Sequence, residues 1–177
     1  MRALQRLAVA LLIAVPLATG GCGQENSLDV VEGEPVQLGE LEYNIQLTRF
    51  LNPADPEDKA YLAGQPAPKA NQLYLAVFMV IDNSGDSSQT LPRDFAVRDT
   101  EGNAYKPVES RSIFALDLGG KVPQDGEVPN AESAAANGPI EGAMVLFRVP
   151  DQVTESRPLT LDIPSTEGEK AEVELDI

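Results

Sequence analysis

The chain has 177 residues, a length suited to one domain with a single core. Its 13 Lys and Arg stand against 28 Asp and Glu, a formal net charge of −15, which argues against nucleic-acid binding and against electrostatic adsorption to anionic lipid. Histidine and tryptophan are absent and there are only four Tyr and five Phe, so the commonest general base, the commonest transition-metal ligand and the aromatic surfaces that stack bases or sugars are missing or scarce.

Residues 1–21 read as a secretory leader: Arg2 and Arg6, then an apolar run from Leu7 to Ala18, then Thr19-Gly20-Gly21 before the single cysteine, Cys22. The run is shorter than the roughly 20 residues that span a bilayer, and Pro16 interrupts it. Small residues before a lone Cys match a bacterial lipobox, with Thr19 where that motif usually has Leu, so Cys22 is expected to be acylated and to become the mature N-terminus. The alternative is an ordinary cleaved leader followed by a stray thiol. Without Arg2 and Arg6 the remainder carries 11 basic and 28 acidic residues, and 11 − 28 = −17. Residues 22–39 are polar and acidic and read as a flexible tether reaching roughly 20–25 Å, unless Val30, Val31, Val36 and Leu38 form an edge strand.

Residues 40–177 carry the strand patterns. Leu41 to Leu51 alternates, with Leu41, Tyr43, Ile45 and Leu47 on one side and polar residues on the other, which predicts a half-buried strand. The segment 52–72 has four prolines and predicts a long surface connection. Leu73 to Ile81 is apolar on both faces, so it predicts a central strand covered on both sides and ended by the turn Asp82-Asn83-Ser84-Gly85-Asp86. Phe95–Asp99 and Ala104–Pro107 flank Gly102 as a hairpin. Asp99, Glu101 and Asn103 invite a calcium loop, but Ala104 and Ser110 stand where an EF-hand needs Gly and a bidentate Glu, so the turn is favoured. The irregular stretch 109–139 predicts a buried turn at Ile113–Leu116 and one helical turn at Glu132–Ala136. Strands are then expected at 140–149, 159–163 and 173–177, with Phe147 and Phe78 facing each other across the core.

About seven short strands and no long helical period predict an all-β chain folded as an antiparallel, immunoglobulin-like β-sandwich. The Asn83-x-Gly85 turn, the Asp99-x-x-Gly102-x-x-Tyr105 hairpin, and Glu141-Gly142 with Phe147-x-Val149-Pro150 resemble an exported bacterial lipoprotein domain of unknown function with a telokin-like, immunoglobulin-like fold. The resemblance runs from about Leu41 to the C-terminus and implies a secreted or lipid-anchored module with no catalytic residue to carry over.

The leading expectation is therefore a membrane-anchored extracytoplasmic module that binds a protein or envelope component and needs no cofactor. Its membrane contact is the lipid on Cys22, and candidate partner contacts are Tyr61, Leu62, Ile113 and Phe114 in the two long loops. The other expectation for those four residues is that they fold back as a lid over the second apolar face of the central strand. A second class of function is cation binding by the loop acids Asp55, Glu57, Asp58, Asp125, Glu127 and Glu132. A third is a hydrolase using carboxylates alone, for which no spacing nominates a pair.

Overall fold

The computed structural model describes residues 27–165 and 168–177. Cys22 and the leader lie outside the described residues. Two five-stranded sheets pack face to face, with a two-stranded ribbon beside them. In chain order the strands are β1 (Ser27–Val31), β2 (Val36–Leu38), β3 (Leu41–Leu51), β4 (Gln72–Asn83), β5 (Gln89–Thr90), β6 (Ala96–Arg98), β7 (Ala104–Tyr105), β8 (Lys121–Val122), β9 (Glu127–Val128), β10 (Ala143–Pro150), β11 (Leu159–Pro164) and β12 (Lys170–Leu175). The first sheet runs β1-β12-β11-β6-β7, and the second runs β10-β4-β3-β2 with β9 also on β4. All pairs are antiparallel except β1 with β12.

The shared core lies between these sheets. Leu75, Val77, Met79 and Ile81 of β4 meet Leu161, Ile163 and Val173 of the opposite sheet, with Phe95 and Phe147 among the largest fully buried side chains. Alternate residues of a strand face opposite sides, so Tyr74, Ala76 and Phe78 of β4 point away from that core, as do Met144 and Leu146 of β10. They are nevertheless buried, because irregular chain covers them. The sandwich thus has a third, thinner layer.

Three expectations need correction. The tether is shorter than 22–39: Ser27–Val31 pairs along β12 and Val36–Leu38 along β3, with Val36 and Leu38 buried, because five Val and Leu in this stretch give two edge strands enough apolar surface. Phe78 and Phe147 do not face each other. They sit on neighbouring strands of one sheet with opposite parity, Phe78 opposite Met144 and Phe147 opposite Leu75, so they fill different cores. Leu47 is 36% exposed, not a core residue, because a bulge between Ile45 and Leu47 shifts the alternation by one. After the bulge Thr48 takes the inner face, and its amide donates to Glu32 Oε1 at 3.0 Å. Glu32 Oε2 accepts from the Asp176 amide at 3.1 Å, so one carboxylate ties the two sheets together.

The helical turn expected at Glu132–Ala136 is a series of hydrogen-bonded turns, held by Asn137 Nδ2 donating to the carbonyls of Ala131 and Ser133. At Ile113–Leu116 the turn buries Phe114 and Leu116 and leaves Ile113 outside. Among the Gly positions, Gly142 carries a clear steric reason: its φ is +120°, and a Cβ there would stand 2.9 Å from the Met79 amide nitrogen. That close approach starts β10 and accounts for the Glu141-Gly142 signature.

Candidate functional site

The two long loops, expected either to bind a partner or to cover the core, do the second through most of their apolar residues. Tyr61 is 3% exposed, Leu62 8% and Phe114 7%, so these three candidate contacts are withdrawn from solvent. Tyr61 packs edge-on against Phe78, ring centroids 5.2 Å apart, and tilts against Phe114 at 4.7 Å. Burial raises the Tyr61 pKa above its ordinary value, while the Ile140 backbone and the Arg49 charge pull the other way. Ile113 alone of the four stands out in solvent, at 73% exposure.

Polar contacts pin the lid at several points. Asp58, 1% exposed, accepts from Arg49 Nη2 at 2.6 Å and from the Asn52 amide at 2.7 Å. Tyr74 OH donates to the Pro66 carbonyl at 2.9 Å, and Ser112 Oγ donates to the Ala60 carbonyl at 2.8 Å. Gln65 Nε2 donates to the Glu109 carbonyl, which joins the two loops to each other. Arg49 is on the outer face of β3 because of the bulge. The shift that exposes Leu47 therefore also delivers the partner of Asp58.

The acids considered for a cation are not brought together. Asp55 Oδ1 accepts the Glu57 amide in a local turn, Asp58 is committed to Arg49, and Glu127 lies in β9. Among the described residues no group of three Asp, Glu, Cys or His is placed to hold a metal ion. Asp99 organises the β6–β7 hairpin instead. Its Oδ1 accepts the amides of Glu101 and Asn103 at 3.0 and 2.9 Å, and its Oδ2 accepts Asn103 Nδ2 at 2.9 Å and Tyr105 OH at 2.7 Å. Burial alone would raise the Asp99 pKa, but the hydrogen bonds from Asn103, Tyr105 and Glu101 outweigh it and hold the carboxyl below its ordinary value. Burial first, and then the hydrogen bond to Asp99 and its charge, push Tyr105 up to about 12, while Asn103 pulls the other way. The Asp-x-x-Gly-x-x-Tyr pattern is thus a closed turn whose acid has no acceptor capacity left over for a cation.

Asn83 does similar work at the other end. Buried at 2% exposure, it donates through Nδ2 to the carbonyls of Ser87, Val122 and Pro123 and accepts the Gly85 amide at 3.0 Å. The Asn83-x-Gly85 signature is therefore the tie between the end of β4 and the β8 loop.

One of several open clefts lies on the flank of β10. The chain 109–113 arches away from that strand and leaves a groove of about 290 Å³ whose lining includes Val108, Leu116, Leu118, Val145, Arg93 and Arg111. Neither arginine was singled out by the sequence, because nothing in it links residues 93 and 111 to β10. The arch also carries Ile113.

Comparison with known proteins bears on the fold. No family model matches the chain, and no curated protein matches it. Solved structures do. An uncharacterized β-sandwich protein from Clostridium difficile 630 is 15% identical with a TM-score of 0.52, covering 86% of this chain and 97% of that one. The secreted protein MPT63 from Mycobacterium tuberculosis is 12% identical with a TM-score of 0.53, covering 85% and 99%. This chain is a β-sandwich protein. A third similar structure, the candidate lipoprotein ycdA of Bacillus subtilis, is 12% identical with a TM-score of 0.50, and the match covers 82% of this chain but 38% of that one. At such identities the likeness carries the fold and no activity.

Proposed function

We propose that this chain is an exported, lipid-anchored β-sandwich module that binds a protein or envelope component on the extracytoplasmic side of the membrane, and that it is not an enzyme. The leader pattern before Cys22 supports export, and a secreted protein and a candidate lipoprotein among the structures of like fold are in keeping with it. The absence of histidine from the whole sequence supports a binding role over acid–base chemistry.

The observation that carries the anchored part is the small-residue pattern Thr19-Gly20-Gly21 before Cys22, and the start of β1 sets how close such an anchor would hold the domain. Ser27 lies five residues beyond Cys22, and five residues span at most about 18 Å when fully extended. A lipid on Cys22 would therefore hold the sandwich close to the bilayer by one end. Ser27 is opposite Lys170, and Lys170 is opposite Pro164, which lies near Glu40 and Gln89. That end carries Glu40, Asp82 and Asp86, whose charge opposes contact with anionic headgroups, so the lipid and not the loops would supply membrane affinity.

The test is fractionation of cells expressing wild type and Cys22→Ser, with crosslinking in the native membrane and mass spectrometry of the captured species. Wild type is expected in membranes, and Cys22→Ser is expected to be soluble or unprocessed. A cleaved Cys22→Ser protein that stays with membranes through a high-salt wash would overturn the anchor. Failure of wild type to crosslink any envelope species would count against the binding role.

A further inference from the structure

The turns at 130–138 hold a covalent weak point. Asn137-Gly138 is the one Asn-Gly pair in the chain; the seven other asparagines precede Ser, Ile, Pro, Gln or Ala. A following glycine has no side chain to hinder its amide nitrogen from reaching the asparagine carboxamide. Asn83 is the contrast: it is 2% exposed, donates to three carbonyls and precedes Ser84. Asn137 is exposed, and the Gly138 amide makes no hydrogen bond among the described residues, so the attacking nitrogen is free and water has access to both groups.

The chemistry needs only water. The Gly138 nitrogen gives up its proton to solvent and attacks the Asn137 side-chain carbonyl carbon. A C–N bond forms, the bond to Nδ2 breaks, and Nδ2 takes a proton from solvent and leaves as ammonia. The product is a cyclic imide in which the Gly138 nitrogen is bonded to both carbonyl carbons of residue 137. Water then opens one of those two bonds. Opening on the side-chain side leaves aspartate, and opening on the main-chain side leaves isoaspartate, with the chain rerouted through Cβ.

Either product removes what closes the turn. Asn137 Nδ2 donates to the carbonyls of Ala131 at 2.6 Å and Ser133 at 3.0 Å, and a carboxylate at neutral pH has no donor for them. Those two bonds hold the carboxamide in place and slow its reaction, but an exposed turn opens at little cost, and the reaction proceeds from those openings. The turn also covers the outer face of the sheet. Ala135 is 4% exposed and packs in the same cluster as Phe114 and Met144, and its carbonyl accepts the Gly142 amide at 3.0 Å where β10 begins. A Cβ on Gly138 would lie 2.7 Å from Phe114 Cε1, so the rerouted chain has no slack against that ring.

We propose that Asn137 is a site of spontaneous deamidation, and that its conversion irreversibly opens this edge of the third layer. Aged molecules then expose apolar surface around Phe114 that fresh molecules hide.

The experiment incubates the purified protein carrying Cys22→Ser in mildly alkaline buffer over weeks, with peptide mass spectrometry and isoaspartate detection at intervals. Asn137 is expected to convert ahead of every other asparagine, with isoaspartate in excess of aspartate. Converted molecules, separated by anion exchange through their added negative charge, should be cleaved by protease within 130–140 about tenfold faster than unconverted ones. Asn137→Asp, made directly, should show faster cleavage in the same segment without any incubation. Asn137 intact while a synthetic peptide of residues 134–141 converts fully, or another asparagine converting first, would overturn the site. Converted molecules or N137D as resistant as fresh wild type would overturn the opening of the layer.

Discussion

Replacing Asp58 tests whether the third layer is held by its polar anchor or by apolar contact alone. The carboxylate is 1% exposed and accepts two hydrogen bonds, from Arg49 Nη2 at 2.6 Å and the Asn52 amide at 2.7 Å. Breaking a fully buried ion pair by removing one partner costs about 3–5 kcal/mol. The Arg49 side chain is 37% exposed, so water takes over part of its solvation in the variant and the upper end of that range does not apply. What remains is a lost charge-assisted bond to Asn52 and a small cavity, so Asp58→Ala should cost about 2–3 kcal/mol. Asp58→Asn keeps an acceptor for the Asn52 amide and should cost about 1–2 kcal/mol. Urea unfolding gives these values, and a double-mutant cycle with Arg49→Met should show positive coupling. Because Tyr61 and Leu62 follow Asp58 closely in the chain, proteolysis within 52–72 should accelerate before global unfolding. An Asp58→Ala cost below about 0.5 kcal/mol with unchanged cleavage would refute the anchor and leave the lid held by Tyr61, Leu62 and Phe114 alone.

Two further outcomes are expected. The folded-state pKa of Asp99 is depressed, so its contribution is complete above the unfolded value near pH 4 and is lost as pH falls through the lower folded value. Asp99→Asn should therefore be less stable at neutral pH and show a flatter stability profile below about pH 4 in urea titrations, and a profile parallel to wild type would count against this account. Phe147→Ala and Phe78→Ala should each cost about 3–5 kcal/mol, yet only Phe78→Ala should speed proteolysis of 52–72, since the two rings fill opposite sides of one sheet. Equal loop protection in both variants would contradict the two-core arrangement.

The strands that carry the sandwich were legible because their periodicity is strong: Leu73–Ile81 is apolar at every position from Leu73 on, and only a strand covered on both faces explains that. The side of each residue was less legible. One bulged residue in β3 inverted the faces from Leu47 onward, and neither composition nor alternation announces a bulge. Phe78 and Phe147 look alike in sequence, and their assignment to different cores follows from register across β4 and β10, which is a long-range property. The hairpin signature Asp99, Gly102, Tyr105 was readable as a turn because every bond it makes is local.

Long-range placement also explains why the sequence left Tyr61, Leu62 and Phe114 open between contacting a partner and covering the core. Tyr61, Leu62 and Phe114 look available for a partner in a Pro-rich loop, but the outer face of β4 and β10 needed a cover, and the chain itself supplied it. Apolar residues in a long loop therefore argue for a partner only after the sheet's own exposed face has been accounted for. Once Tyr61, Leu62 and Phe114 are assigned to that face, Ile113 is the one of the four candidate contacts left without an internal role. Phe114 and Ser112 fix the arch against β10 and the 52–72 loop, so one short segment both covers the outer face of the sheet and presents Ile113 to solvent.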